Sequence, residues 1–300
     1  MTFPLVPDPH PAAPWRPGAE DDIAARAQRL VAGPARASFD RLVLRPDVRE
    51  QLLFSIDAVR GDAGLYQEWG LADIEPTRRV ALNLFGQPGT GKTMAAHAIA
   101  AYLDRPILEA GYADVESRFH GDGPRNVKAL FHAAARDGAV LFVDEADALL
   151  SRRITAASHG AEQATNATRN QLLLSLNEFS GVAVFATNMV GRYDPAFAGR
   201  MLSVHFPMPD AATRAAIFDR LRPRRLPVAG GVTSPAAAAL LDGMSGRDIK
   251  NVILTAAHRA ARLGAPAVTM AHLRWAVHLV RTSNTAVTDP PTISAANPHE

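Results

Sequence analysis

The chain has no cysteine, and only three lysines, Lys92, Lys128 and Lys250, among its 300 residues. Without cysteine there is no disulfide framework, no thiolate metal site and no thiol nucleophile. Charge of one sign is also missing. Thirty-two Lys and Arg against 30 Asp and Glu leave a formal +2, which gives no general pull toward nucleic acid or a membrane surface. No apolar run nears the roughly 20 residues that span a bilayer. Met1 to Pro7 lacks a basic stretch followed by an apolar core, so it does not read as a signal peptide, and a cytoplasmic location is expected. No internal repeat is visible. What is present is a 47% hydrophobic content, enough for one or two globular domains with a substantial core.

One stretch organises the rest: Gly86-Gln87-Pro88-Gly89-Thr90-Gly91-Lys92-Thr93. It follows the apolar run Val80 to Phe85, which reads as a buried strand, and opens an alanine-rich helical segment beginning at Met94. A glycine-rich loop between a strand and a helix N-terminus is an anion site. Backbone N–H groups curl round phosphate, and the helix N-terminal charge favours the negative group. Lys92 would reach the β- and γ-phosphates and the Thr93 hydroxyl would ligate Mg²⁺. In a chain so short of lysine, one at the position that wants a compact ammonium is informative. The stretch predicts binding of a nucleoside triphosphate.

Six prolines before residue 18 predict an extended N-terminal tail, set at residues 1–37, with one short helix over Ile23–Val31. A helix follows from Pro46. Four further strands are expected at Pro106–Ala110, Ala139–Val143, Val182–Ala186 and Ser203–Phe206, alternating with helices. Strand and helix in alternation predict an α/β fold, a five-stranded parallel sheet of the P-loop NTPase kind in three layers, over residues 38–209. The polar stretch Ser151 to Thr168 reads as a loop before the next helix. After Asp210 only helical patterns remain, predicting a small all-helical lid domain over 210–282 and a disordered tail over 283–300.

The third strand delivers Asp144 and Glu145 at its C-terminal end, where ligands of open α/β sheets bind. Asp144 would hold Mg²⁺, and Glu145 would orient and deprotonate the attacking water.

On these two elements the chain resembles an AAA+ ATPase of the AAA-type branch, over roughly Ser38 to Arg281. The resemblance implies ATP and Mg²⁺ as ligands, with Gly86 to Met94 and Asp144 around the nucleotide. Asn188, after the fourth strand, matches sensor 1, which contacts the γ-phosphate or the lytic water. The segment Tyr193 to Arg200 is similar to the one ending in the arginine finger, so Arg200 would reach a nucleotide held by a neighbouring subunit. A second arginine common in the family is replaced here by Met201-Leu202-Ser203. Arg247 stands where the family places sensor 2, although Ser245 and Asp248 also compose a capping box that explains the segment without a ligand. Val43 and Leu44 lie where the family forms its adenine pocket.

The same resemblance makes Phe119, His120 and Gly121 the first pore loop, with Phe119 gripping a polypeptide in the channel of a ring, and Arg152 to Thr165 the second. Phe119 tucked beneath its own loop is the competing reading. Asn177 to Gly181 replaces an Asp-Gly-Phe element that relays nucleotide state between subunits. The implied activity is ATP hydrolysis in a homo-oligomeric ring, a hexamer, that remodels or threads a protein client, with an adaptor or tail choosing the client. Two other classes stay open: an ATP-gated assembly or regulatory factor that threads nothing, and a nucleic-acid motor or loader. The second lacks a basic stripe or an added nucleic-acid module.

Overall fold

The computed structural model describes residues 19–60, 67–74, 79–115, 122–151, 160–188 and 193–288. Five strands form one sheet: β1 (Val80–Phe85), β2 (Ile107–Gly111), β3 (Val140–Asp144), β4 (Val182–Thr187) and β5 (Leu202–His205). Their order is β2-β3-β4-β1-β5 and every pair is parallel. Position in the sheet follows composition. β4 is buried at all six residues and sits in the middle, as an apolar strand covered on both faces must. β5 lies at the edge and leaves Leu202 exposed.

The side-chain alternation of a strand divides the core between two faces. Val140 and Phe142 of β3 point to the face that receives α2 (Pro46–Arg60) and α4 (Lys92–Tyr102). Leu141 and Val143 point to the other, covered by α6 (Gly123–Arg136) and α8 (Gly160–Glu178). Ala95, Ala96 and Ala98 of α4 are fully buried. Their small side chains let the phosphate-loop helix lie close on the sheet. The short helices α3 (Leu71–Ile74), α5 (Tyr112–Val115), α7 (Asp147–Leu150) and α9 (Pro195–Ala198) are single turns in the connections.

Four helices follow the sheet: α10 (Ala211–Leu221), α11 (Ser234–Leu240), α12 (Gly246–Arg262) and α13 (Met270–Thr288). Side chains cap the first three, with Asp210 accepting from the Thr213 N–H, Thr233 from the Ala236 N–H and Ser245 from the Asp248 N–H. Each such cap is worth about 1 kcal/mol. α12 buries Ile249, Val252, Ile253, Ala256 and Ala260 along one stripe against Leu273, Ala276 and Val277 of α13, so the lid has its own core.

Three boundaries differ from expectation. Residues 19–37, assigned to a flexible tail, belong to the fold: α1 (Ala19–Gln28) starts four residues before the predicted helix. Its Arg26 pairs with Asp122 and bonds Asn126, Ala27 is buried, and Gly33 bridges Ile107. The helix was expected, but the proline-rich run before it put the whole segment in the tail, and its long-range anchors were not visible. The polar stretch before Thr168 is helical from Gly160, because Arg169 reaches back to the Ala148 carbonyl and pins a polar helix. α13 runs through Thr288, past the predicted end at 282, helped by Asn284 donating to Asp248. Among the described residues no helix is long and apolar enough to cross a membrane.

Candidate active site

β1 ends at Phe85 and the chain turns through Gly86 to Gly91 into α4. Gly91 is the N-cap of α4 in a left-handed conformation (φ 106°), and no side chain caps the helix. Its first N–H groups therefore face the loop's concavity, as an anion site requires. Gly89 (φ 80°) faces the lid: an added Cβ would lie 2.6 Å from Ser245 Oγ and 2.8 Å from Arg247 Cβ. The Arg247 N–H donates to the Gly89 carbonyl at 3.3 Å. Lid and phosphate loop thus touch through a glycine, which ties lid position to loop conformation.

Lys92 is buried, with its ammonium donating to the Gly86 carbonyl (2.6 Å), the Gln87 carbonyl (3.0 Å) and Asn188 Oδ1 (2.9 Å). Burial pushes its pKa below the ordinary lysine range, while the Asp144 and Asp147 carboxylates pull it upward and Arg247 lowers it again. The Thr93 hydroxyl donates to Asp144 Oδ2 at 3.0 Å. A hydroxyl and a carboxylate oxygen, paired beside the ammonium, are the hard oxygen donors that Mg²⁺ takes alongside phosphate and water. These residues fit the metal.

Glu145 follows with φ 54°, one of two described non-glycine residues in left-handed backbone. Such strain persists only where the surroundings enforce it, and it gathers at functional sites. Its N–H donates to Asp144 Oδ1 at 2.9 Å, and the side chain is left exposed at the cleft. Two carboxylates one residue apart are aimed differently by that turn.

These groups line one cleft of about 580 Å³ between the strand ends and the lid. It brings together Val43, Pro88 to Met94, Asp144, Glu145, Asn188 and Arg247. Gly86 and Gln87 contribute their carbonyls to Lys92 from beneath. Leu44 does not reach this cleft and lines a smaller neighbouring cavity with Val43 and Ile217. Arg247 does line the cleft although its helix also carries the complete capping box of Ser245 and Asp248, so capping and cleft contact coexist. Phe119, His120 and Gly121, together with 152–159 of the second predicted pore loop, lie outside the described residues; 160–165 are helical. Among the described residues no group of three His, Asp or Glu side chains forms a separate metal site.

Sequence reading missed Asp147. Its Oδ1 accepts the Thr187 hydroxyl at 2.6 Å and the Asn188 N–H at 2.9 Å, so it holds the strand end that carries Asn188. The run Asp144-Glu145-Ala146-Asp147 was the available signal. Also missed were Arg41, Arg220 and Lys250, which line the cleft. Two of the chain's three lysines therefore face it, and their rarity could have flagged Lys250.

Arg200 is elsewhere. Asp194 caps the single turn α9 by accepting from the Ala196 N–H at 2.9 Å, and the turn presents Arg200 at the N-terminal end of β5. The exposed guanidinium donates to Asn177 Oδ1 (2.9 Å) and the Ala196 carbonyl (2.7 Å).

A loop cradle at a strand–helix turn, a buried lysine, a Thr–Asp pair and an acidic strand end define the class: a P-loop nucleoside triphosphate-binding protein. The model of the ATPase family associated with various cellular activities (AAA) matches residues 82–208. The chain is 34% identical over 215 residues to the proteasome-activating nucleotidase of Saccharolobus solfataricus, covering 69% of this chain and 54% of that protein. It is 32% identical over 225 residues to the proteasome-activating nucleotidase of Aeropyrum pernix (72% and 53%). Against that of Sulfurisphaera tokodaii it is 31% identical over 228 residues (73% and 56%). The chain thus spans about half the length of the curated relatives it matches. It belongs to the AAA+ ATPase superfamily.

Proposed function

We propose that this chain hydrolyses ATP at the interfaces between subunits of a ring and uses the cycle to remodel or thread a protein client. The observation that carries this reading is the separation of two groups that one hydrolysis site needs. The phosphate loop leaves the C-terminal end of β1, whereas Arg200 stands at the N-terminal end of β5, the parallel neighbour of β1. Six residues of strand at about 3.3 Å each put about 20 Å between those ends. A guanidinium so placed serves a nucleotide only if a second copy presents its cleft.

In that arrangement, Glu145 takes a proton from water as the water oxygen bonds to the γ-phosphorus. The bond from the γ-phosphorus to the bridging oxygen breaks, and ADP and phosphate leave. Lys92 and the uncapped N–H groups of α4 hold the phosphates, Asn188 orients the water or γ-oxygens, and Arg200 of the next subunit meets the charge on the transferring group. Thr93 and Asp144 would hold Mg²⁺, which would supply positive charge beside the phosphates. Arg247, bonded by its N–H to Gly89, links the lid to the loop that would hold the phosphates.

The polypeptide client is supported by likeness to relatives named for activating proteasomes. Phe119 at the predicted pore loop is the group that would grip it. The test is specific ATPase activity with Mg²⁺ as chain concentration rises. Activity that climbs steeply supports the interface site, and activity constant per subunit contradicts it. A client trapped on a Glu145→Gln ring should crosslink through position 119; crosslinks confined to the outer surface would leave an ATP-gated assembly factor as the better reading.

A further inference from the structure

The ammonium of Lys92 meets three acceptors supplied by the chain itself: the Gly86 carbonyl at 2.6 Å, the Gln87 carbonyl at 3.0 Å and Asn188 Oδ1 at 2.9 Å. An ammonium has three protons to donate. A phosphate oxygen can therefore bond Lys92 only by replacing one of these partners, and the three are not equally replaceable. Gly86 is wedged in place, since its N–H donates to the Thr187 carbonyl at 3.3 Å and an added Cβ would overlap the Phe206 carbonyl. The Gln87 carbonyl also accepts the Thr90 hydroxyl at 2.8 Å, which ties it into the loop. Asn188 holds Lys92 through its side chain alone. Its backbone N–H is fixed separately by Asp147 at 2.9 Å, so the amide can rotate about two side-chain torsions without moving β4. Asn188 is also exposed, so a rotated amide finds water.

We infer that Asn188 is an internal competitor for phosphate: its amide oxygen engages the Lys92 proton that a β-phosphate oxygen would take, so the residue weakens the hold on ADP and promotes product release. This rests on the ATPase reading above and adds a regulation to its site. When a phosphate oxygen replaces the amide at Lys92, the amide is free to turn toward the γ-phosphate or the water. When the products leave, it returns to the ammonium. Asp147 keeps the backbone anchor fixed in both positions. The strength of the Lys92–Asn188 bond is thereby subtracted from nucleotide affinity, because a ligand shifts such an equilibrium only by its differential affinity for the two arrangements. Removing the amide should therefore do two opposite things, tightening ADP while slowing hydrolysis. A residue whose only role is to contact the γ-phosphate or the water would slow hydrolysis without tightening ADP, which has no γ-phosphate.

The experiment titrates ADP with Mg²⁺ into the full chain by calorimetry, comparing the parent with Asn188→Ala and Asn188→Ser after light scattering has matched their assembly. The serine oxygen sits one bond closer to the backbone and falls short of Lys92, yet the side chain stays polar, so this variant decides the matter if the alanine variant does not fold. Both should bind ADP about three- to tenfold more tightly than the parent, the scale of a hydrogen bond to a charged group that water partly replaces. Stopped-flow release of a fluorescent ADP analogue should slow by a similar factor. Hydrolysis at saturating ATP should fall about 10- to 100-fold. If a folded variant binds ADP no more tightly than the parent does, the inference fails and the ATPase reading stands. If the parent binds neither ADP nor ATP, both fall together.

Discussion

The two ends of the sheet are built on opposite plans. At the C-terminal end, polar groups satisfy one another within the chain: Lys92 on Gly86, Gln87 and Asn188, Thr93 on Asp144, and Asp147 on Thr187 and Asn188. The lid closes over them through Gly89 and Arg247. At the N-terminal end, Arg200 is exposed on a single capped turn and, among the described residues, is held by an amide and a carbonyl. A preorganised cradle that is internally satisfied can hold a nucleotide by itself. An exposed guanidinium oriented by neutral acceptors has its charge left for something outside the chain. On the proposed reading, the contrast divides the reaction into a binding half that each subunit would own and an activating half that it would lend.

If the division is right, mutations at the two ends should fail in different ways. Replacing Lys92 with alanine removes the one buried ammonium of the cradle, and nucleotide binding should be lost outright; isothermal titration with ATP and Mg²⁺ checks this. Retained affinity within threefold would show that the cradle is not organised on Lys92. Arg200→Ala should lower the hydrolysis rate roughly 10³-fold, the scale of a trans arginine, while affinity measured in the same titration stays near the parent value. A matching loss of affinity would mean that the two ends are not separate.

Glu145→Gln should slow hydrolysis roughly 10²- to 10⁴-fold, the range for a positioned general base, and accumulate ATP-bound chains detectable by filter binding. Rapid turnover in this variant would move the base elsewhere. Asp147→Ala, which frees the Asn188 backbone, should cost about tenfold to a hundredfold in rate with little change in affinity. The conservative Asp147→Asn keeps an acceptor for the Thr187 hydroxyl and should recover part of that loss. Equal defects in both variants would make the residue a source of charge rather than of position.

The smallest effect expected is at the lid. Ser245→Ala removes the N-cap of α12 and should cost about 1 kcal/mol, a lowering of melting temperature of about 2–4 °C in a chain of this size. Calorimetry without nucleotide would detect it, and no shift would indicate that Asp248 alone caps the helix.

The binding half was the more legible in sequence. Glycines, a lysine, a hydroxyl and two carboxylates are fixed in type by phosphate and metal chemistry, and they are adjacent along the chain, so Gly86 to Thr93, Asp144 and Glu145 could be read directly. The five strands were equally readable, since buried strands are continuous apolar runs and each was placed within a residue or two. Contacts made across long sequence separations were not. Asp147 acts on residues 40 and 41 positions away, and Arg79 meets Asn177 at a separation of 98. α1 is held by Asp122 and Asn126, 96 and 100 residues from Arg26, and no local periodicity reports such an anchor. Leu44 was placed with Val43 by the family resemblance, but it lines the adjoining cavity instead. Local chemistry was visible; the tertiary wiring that orients it was not.

The central claim is that the loop of one subunit and the Arg200 of another complete one site. Mixing Arg200→Ala chains with Lys92→Ala chains tests it most directly, because each variant lacks a different half. The account predicts two inactive proteins whose mixture hydrolyses ATP, with activity rising as equal amounts are approached from either side. A mixture no more active than the sum of its parts, with both variants assembled to the parent size, would contradict it.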